Sequence, residues 1–284
     1  MIKIATDSTA YLPEEVIQRY GINVIPLNVL FGEQLYKEGR DMSYEEFYQM
    51  LAQAEELPTT SQPAVGECVD FYSELVRDGS ELISIHIGSG ISGTVDSALS
   101  ACRELPQARI SVVDSLSTSM GLELMVVSAA EAVAAGKSHE EVVAMLERMV
   151  RDTRLFFVVD TLEYLQKGGR IGGAAALVGT LLNVKPILHL KDGLIEPLSK
   201  VRTKRKAVGH LLDLMTEDLG SGEPVRVVVG HAVTPKEGQA LLEEARSRLN
   251  CTASSLSQIG PVIGTHVGPG SLGLAVCPER VIQG

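Results

Sequence analysis

The stretch SIHIGSGISGT, from Ser84 to Thr94, starts as an apolar strand and turns into glycines and hydroxyl side chains. Gly88, Gly90 and Gly93 form the pattern G-x-G-x-x-G, and a helical pattern follows the last glycine. A glycine-rich turn between a strand and a helix is typical of βαβ units, in which the helix returns the chain to a parallel strand. The stretch therefore predicts an α/β fold built on a parallel sheet.

The sequence on both sides of this turn alternates between strands and helices. IKIATD near the N-terminus, ELISIHI before the glycines and ARISVVDS after them read as strands, with helical patterns between them. This order predicts a mostly parallel sheet flanked by helices. Asp7 and Ser8 end the first of these strands, and Asp114 and Ser115 end the third. Because ligands collect at the carboxyl ends of parallel strands, we expect these four residues to support the glycine loop through hydrogen bonds.

The second half of the chain reads as a different kind of domain. KPILHLKDGLIEPLSKV places Asp192 and Gly193 between two apolar runs, which is the signature of a β-hairpin. Helices and further strands follow in mixed order, which predicts an α+β arrangement. We therefore divide the chain into an α/β domain, residues 1–153, and an α+β domain, residues 154–284.

The composition argues against several classes of function. The 284 residues include 25 Lys and Arg against 36 Asp and Glu, and this net charge of −11 disfavours a nucleic-acid-binding protein. The four cysteines are far apart and form no C-x-x-C pair, so we expect reduced thiols and no metal site. The N-terminus reads as a strand, and no apolar run is long enough to cross a bilayer. We therefore expect a soluble protein of the cytoplasm.

Dinucleotide binding is the first alternative for the glycine loop. Asp114 lies about twenty residues beyond the glycines, where an NAD-dependent oxidoreductase would carry its ribose-binding acid. Ser89, Ser92 and Thr94 add hydroxyls that a pyrophosphate loop does not require, and no second mononucleotide-binding half follows. No lysine follows the glycines, which excludes a P-loop.

The same loop can bind an anion without any nucleotide. Glycines let the backbone approach a ligand closely, and free N–H groups at the start of a helix favour negative charge. Ser92 is placed to cap the following helix, and its hydroxyl can also donate to a carboxylate or phosphate oxygen. A plain strand-to-helix turn capped by Ser92 is the structural alternative.

Eight short motifs occur in a fixed order along the whole chain. They are TDST, TTSQPA, GSGISGT, VVDS, LEYLQKGGRI, KPIL, VRTKRKA and GTHVGPG. This set resembles the DegV family, which includes the fatty-acid-binding subunits of bacterial fatty acid kinases. The chain departs from the family pattern at Ala64, where serine is usual, and at Val95, where tyrosine is frequent.

The resemblance implies that the protein binds one long-chain fatty acid in a tunnel between or beneath the two domains, with no cofactor. It assigns the carboxylate end to Thr60 and Ser61 of the TTSQPA motif, to Ser92 and Gly93 of the glycine loop, and to His266 of the closing motif. It also implies that His266 acts either on the ligand or on a partner protein.

That partner is expected to be an ATP-dependent fatty acid kinase, which phosphorylates the bound carboxylate. The resemblance places Arg170 and Arg202 at the head group or facing this kinase, so the protein is not an enzyme by itself. The basic stretch from Lys200 to Lys206 is either a solvated helix start or a docking surface for an acidic kinase. Contact with a membrane surface is expected during lipid exchange.

The stretch IGGAAALVGTLLNV is the candidate wall for the acyl tail. It is apolar nearly all round, which predicts a buried helix, and Ile171, Leu177, Leu181 and Leu182 would supply its contact surface. Burial of about fourteen methylenes is worth roughly 11 kcal/mol before the cost of association, so the tail would dominate the affinity.

A stand-alone hydrolase remains the other alternative. It would use Ser92 as the nucleophile and His266 as the base. The sequence around Ser92 does not contain the G-x-S-x-G elbow on which many such nucleophiles sit.

Overall fold

Three β-sheets and the helices packed on them make up the part of the chain that the computed structural model describes, residues 1–179, 185–219 and 222–283. The strands are β1 (Ile2–Asp7), β2 (Asn23–Ile25), β3 (Asn28–Phe31), β4 (Gln34–Lys37), β5 (Thr59–Ser61), β6 (Glu81–His86), β7 (Ile110–Asp114), β8 (Arg154–Val158), β9 (Lys185–Lys191), β10 (Leu194–Val201), β11 (Pro224–His231), β12 (Asn250–Gln258) and β13 (Leu272–Pro278). The α-helices are α1 (Glu14–Tyr20), α2 (Tyr44–Gln53), α3 (Val65–Val76), α4 (Thr94–Glu104), α5 (Ser119–Ala134), α6 (His139–Asp152), α7 (Glu163–Lys167), α8 (Lys204–Leu219), α9 (Pro235–Arg248), α10 (Pro261–Val267) and α11 (Glu279–Gln283). Two short 3₁₀-helices cover Ser8–Ala10 and Gly172–Leu177.

The first sheet confirms the predicted α/β architecture. Its four strands are parallel and lie in the order β2-β1-β6-β7. On β6, Leu82 packs in a cluster with Tyr72 of α3, whereas Ile83 and Ile85 pack in the main core with Leu122 of α5. Since helices cover both faces, the strand reads as a continuous apolar run rather than an alternating one.

The second sheet is mixed and has six strands in the order β10-β9-β8-β13-β11-β12. β11 and β12 are parallel, and the other neighbours are antiparallel. β9 and β10 form the predicted hairpin, in which Asp192 and Gly193 have φ values of 51° and 78°. Positive φ at both central residues is what a two-residue hairpin turn with the right twist requires.

The third sheet has the order β4-β3-β5 and was not predicted. Pro26 and Leu27 separate β2, which joins the first sheet, from β3, which joins this one. The TTSQPA motif contributes β5, in which Thr60 pairs with Val29. Strand pairing therefore fixes the backbone of Thr60.

The prediction of a buried helix in the stretch IGGAAALVGTLLNV is wrong for residues 171–179, the part of it that the structure describes. The structure has a single six-residue 3₁₀-helix there, Gly172–Leu177, and the following Val178 is 40% exposed. Gly172 has φ of 52°, a left-handed conformation that α-helices do not use, and its neighbours carry too little apolar surface to bury a helix. Leu181 and Leu182 lie outside the described residues.

Helix α5 connects the two large sheets. It packs on β1 and β6 of the first sheet and on β11 and β13 of the second, and twelve of its sixteen residues are buried. Buried residues from both halves of the chain belong to one core cluster. The second sheet takes all its strands from residue 154 onward, but the division into two domains stays a prediction.

Two further observations concern the cysteines and the helices. All four cysteines are unpaired; Cys68 and Cys277 are buried, and burial raises the pKa of each to about 11. Among the described residues, no helix combines the length and the apolar character that crossing a bilayer demands.

The glycine loop is pressed against two other segments of the protein. A Cβ atom on Gly88 would lie 3.0 Å from the backbone of Leu116, and one on Gly90 would lie 2.5 Å from the carbonyl oxygen of Gly193. The two glycines are therefore needed for close approach of protein backbone, at the start of α5 and at the β9–β10 turn.

This packing predicts a stability difference between two glycine substitutions. Gly90→Ala should lower the free energy of unfolding by about 1–3 kcal/mol, because backbone rather than a flexible side chain has to move. Gly66→Ala in α3, where a Cβ meets nothing within 4 Å, should raise it by about 0.4–1 kcal/mol. Urea unfolding measures both, and equal stabilities of the two variants would contradict the packing.

Candidate functional site

An apolar cavity lies where the carboxyl ends of the first sheet face the second sheet. The cavity is narrow: the volume open to the centre of a water molecule is ≈ 70 Å³. Ile87 after β6 and Met120 at the start of α5 form one side of the cavity. The other side is formed by apolar side chains of β8, the hairpin, β13 and α10, namely Leu155, Phe157, Leu190, Ile195, Leu272, Val262 and Ile263.

Several polar side chains also line this cavity. They come from β5 and the residue after it, from the glycine loop, from the turn after α7 and from α10, and they are Thr60, Ser61, Gln62, Ser92, Arg170 and His266. An open surface cleft runs beside them, with Glu55, Glu56 and Lys167 on its walls. Thr60, Arg170 and His266 line both the cavity and this cleft. These three residues therefore stand where the apolar interior meets the surface.

His266 is a buried and neutral histidine. It lies in the last turn of α10. Burial and the nearby charge of Arg170 lower its pKa to about 4. Its Nε2 atom is 2.7 Å from the hydroxyl of Thr60, and its Nδ1 atom has no partner among the described residues. A side chain at Gly168 would collide with that Nδ1 atom, so the first glycine of the GG pair makes room for the ring.

Arg170 carries the positive charge at this junction. Its Nη1 donates to the carbonyl of Gly168 at 2.9 Å, and its Nε donates to the carbonyl of Ile91 at 3.3 Å. Within the described ranges, no carboxylate forms an ion pair with the guanidinium. The backbone therefore holds the charge in place, and an anionic ligand would be its first ionic partner.

Ser92 lies half-buried on the cavity wall, one residue before the N-cap, Gly93, of α4. Its hydroxyl oxygen accepts from the N–H of Thr94 at 3.3 Å and lies 2.9 Å from the Thr94 hydroxyl. When Thr94 donates to Ser92, the hydrogen of Ser92 is free for a ligand. Gly93 does not line the cavity; its missing side chain leaves room for Gln62.

Asp7 and Ser8 lie beneath the cavity rather than in its wall. The carboxylate of Asp7 accepts from the Ile87 N–H at 2.8 Å and lies 3.0 Å from Nδ1 of His86. The hydroxyl of Ser8 donates to Glu38 at 2.6 Å. Asp7 thus fixes the strand end that carries Ile87 into the cavity.

Asp114 and Ser115 hold the glycine loop from the other side. One oxygen of Asp114 accepts from the Ser89 N–H at 3.1 Å and from the Leu116 N–H at 3.0 Å. The hydroxyl of Ser115 donates to the carbonyl of Ser117 at 3.1 Å, and that carbonyl also accepts from Gly88. These bonds set the path of the loop and of the turn leading into α5.

Three predicted residues lie away from the cavity wall. Arg202 is exposed directly after β10, and Ile171 and Leu177 are half-buried against the main core. Most of the cavity-lining residues that the sequence did not predict lie on β8, β13, the hairpin and α10. Their apolar patterns are those of ordinary core strands and helices, so nothing in the sequence marks them as lining a cavity.

The geometry argues against the two alternative functions, a hydrolase and a dinucleotide-binding oxidoreductase. A Ser–His hydrolase needs the base beside the serine and an acid on its other nitrogen, but the recorded partner of His266 is Thr60. A pyrophosphate would need the glycine backbone, but protein segments cover Gly88 and Gly90. No cluster of metal-ligating side chains occurs among the residues that the structure describes.

Known proteins identify the family. A profile described as "Uncharacterised protein, DegV family" matches residues 1–279. The chain belongs to the DegV family. Protein DegV of Bacillus subtilis is 40% identical over 277 residues, which cover 97% of this chain and 99% of that relative.

Solved DegV structures share the fold. A DegV family protein from Thermus thermophilus, described as fatty-acid-binding, has a TM-score of 0.92 at 36% identity and covers 98% of this chain and 99% of its own. A stearic-acid-binding protein from Eubacterium ventriosum has a TM-score of 0.92 at 30% identity, with coverage of 98% and 99%.

The neutral state of His266 predicts a pH effect on stability. The unfolded chain takes up a proton on this ring near pH 6.5, whereas the folded chain does so only near pH 4. Stability should therefore fall by about 2–3 kcal/mol as the pH drops through this window. Glu38 and Glu123, whose buried carboxyls have pKa values raised to about 7, act in the opposite direction.

The variant His266→Gln isolates this contribution because it keeps a donor but cannot titrate. Urea unfolding near neutral pH and at about pH 4.5 should show a smaller acid-induced loss for the variant than for the parent protein. The same loss in both would mean that His266 does not carry the effect.

Proposed function

We propose that this DegV protein binds one long-chain fatty acid, with its tail in the apolar cavity and its carboxylate at the junction formed by Thr60, Arg170 and His266. The observation that carries the proposal is that these three residues line both the apolar cavity and the surface cleft. The DegV proteins of known structure described as fatty-acid-binding support it.

The tail provides most of the binding free energy. Burial of about fourteen methylenes is worth roughly 11 kcal/mol before association costs. Most of the lining residues are leucine, isoleucine or valine, with one methionine and one phenylalanine among those that the structure describes, which suits an aliphatic chain. Among the described residues, no charged side chain other than Arg170 lines the cavity, so the tail meets no charge from them along its length.

The head group needs donors, and the junction supplies them. If Nε2 of neutral His266 donates to the Thr60 oxygen, the Thr60 hydroxyl is free to donate to the carboxylate. Ser92 offers a second hydroxyl, and Arg170 offers the compensating charge. Hydrogen bonds to a charged group are worth about 1.5–3 kcal/mol each, enough to offset the desolvation of the carboxylate near the surface.

The protein itself does not activate the carboxylate. A separate ATP-dependent fatty acid kinase reaches the head group through the surface cleft and forms the acyl phosphate. The exposed Arg202 and its basic neighbours between Lys200 and Lys206 give this kinase a positively charged docking surface outside the cavity. The exchange takes place in the cytoplasm, with acyl chains delivered to or collected from a membrane surface.

Extraction of the purified protein tests the ligand assignment. We expect a long-chain fatty acid in the organic extract, and Ser92→Ala should bind it about ten- to a hundredfold more weakly, because one hydrogen bond to a charged group is lost. Competition with a fluorescent fatty acid gives the affinities. Ser89→Ala is the matched control, since Ser89 is exposed in the same loop and does not line the cavity. Equal affinity of the Ser92 variant and the parent would refute the head-group assignment.

The kinase assignment makes a separate prediction for Arg202. Loaded protein and ATP alone should give no acyl phosphate, whereas a purified fatty acid kinase should form it, detected as the hydroxamate. Arg202→Ala should keep its fatty acid but slow this reaction by about tenfold, since a charge at the docking surface is lost. Arg77→Ala, with an arginine 75% exposed at the end of α3, is the control. Turnover without a kinase would show that the protein is itself an enzyme.

A further inference from the structure

Met120 sits over a pair of glycines in the second sheet. Gly230 of β11 and Gly273 of β13 are directly opposite each other in the antiparallel ladder. A Cβ atom on Gly230 would collide with Sδ of Met120, and one on Gly273 would collide with its Cε. The hydroxyl of Ser119 donates to the same sulfur at 3.0 Å. The missing side chains thus form a niche that the thioether fills.

The niche is rigid, whereas the side chain that fills it is not. β11 and β13 are inner strands of the sheet, each paired on both sides. Methionine has three rotatable bonds in its side chain and adapts to irregular spaces. Since Met120 also lines the apolar cavity, a thioether driven from the niche has free space on the cavity side.

We infer that Met120, seated on the Gly230–Gly273 niche, sets the length of the acyl chain that the cavity accepts. This inference rests on the proposed function. With the thioether in the niche, the cavity keeps its depth. With the thioether displaced into the cavity, space for roughly one or two methylenes is lost, because protein interiors are close-packed. Each methylene that loses its place weakens binding about fourfold.

Competition binding with a homologous series of saturated fatty acids tests the inference. Met120→Ala removes Cγ, Sδ and Cε, so the preferred chain should lengthen by about two carbons, and the longer acid should gain about tenfold over the parent's best ligand. Gly273→Ala, or Gly230→Ala if the former does not fold, should shorten the preferred chain by a similar amount. Met125→Ala, also buried in α5 but not lining the cavity, should leave the preference unchanged.

The double variant Met120→Ala, Gly273→Ala separates a specific effect from general damage. Without a thioether to displace, the added methyl group falls into the vacated niche, so the double variant should keep the long-chain preference of Met120→Ala. Two results would overturn the inference while leaving the proposed function intact. One is that Met120→Ala prefers the same chain length as the parent protein. The other is that Gly273→Ala shortens the preferred chain equally in the parent protein and in Met120→Ala. Failure of the parent protein to bind any acid of the series would overturn the proposed function itself.

Discussion

The anchoring of α10 by the buried carboxyl group of Glu38 is the interaction on which the site depends. Glu38 accepts hydrogen bonds from the Val262 N–H at 2.7 Å, from the Ser8 hydroxyl at 2.6 Å and from the Tyr11 hydroxyl at 3.2 Å. α10 begins at this contact, contributes Val262 to the cavity wall and carries His266 to its mouth one turn later. Burial raises the pKa of Glu38 to about 7, and its three hydrogen bonds oppose that rise. Glu38, directly after β4, therefore positions α10, which lies more than 220 residues later in the chain.

The sequence could predict the parts of the fold that local chemistry decides. The glycine loop indicates a strand-to-helix turn, and Asp192–Gly193 indicates a hairpin, because few other residues adopt the required backbone angles. The same pattern could not tell what approaches the glycines. In a dinucleotide fold it is a pyrophosphate; here it is the backbone of Leu116 and Gly193. Close approach is one physical requirement with several possible partners, and only the tertiary structure distinguishes them.

The parts that could not be predicted depend on contacts between distant segments. Thr60 and His266, which meet at the cavity mouth, are 206 residues apart, and motif order alone gives no distance between them. The walls of the apolar cavity come from strands whose apolar residues would have the same sequence pattern in a filled core. For the residues that follow Ile171, the error is the opposite one, because the sequence predicts burial and most of residues 172–177 lie at the surface. Their composition is apolar, but glycine and alanine offer too little surface to bury, so they form a short 3₁₀-helix at the surface.

The charge at the mouth links the head group to the rest of the cavity. Burial and the nearby positive charge of Arg170 keep His266 neutral, so the junction formed by Thr60, Arg170 and His266 carries one positive charge instead of two. Under the proposed function, a carboxylate bound there matches that single charge, and the neutral hydroxyls orient it without adding another. Because an opposite charge favours the protonated ring, that carboxylate would also work against the factors that lower the pKa of His266. The proposed function therefore implies that proton uptake by His266 and binding of the carboxylate are coupled, and by linkage each strengthens the other.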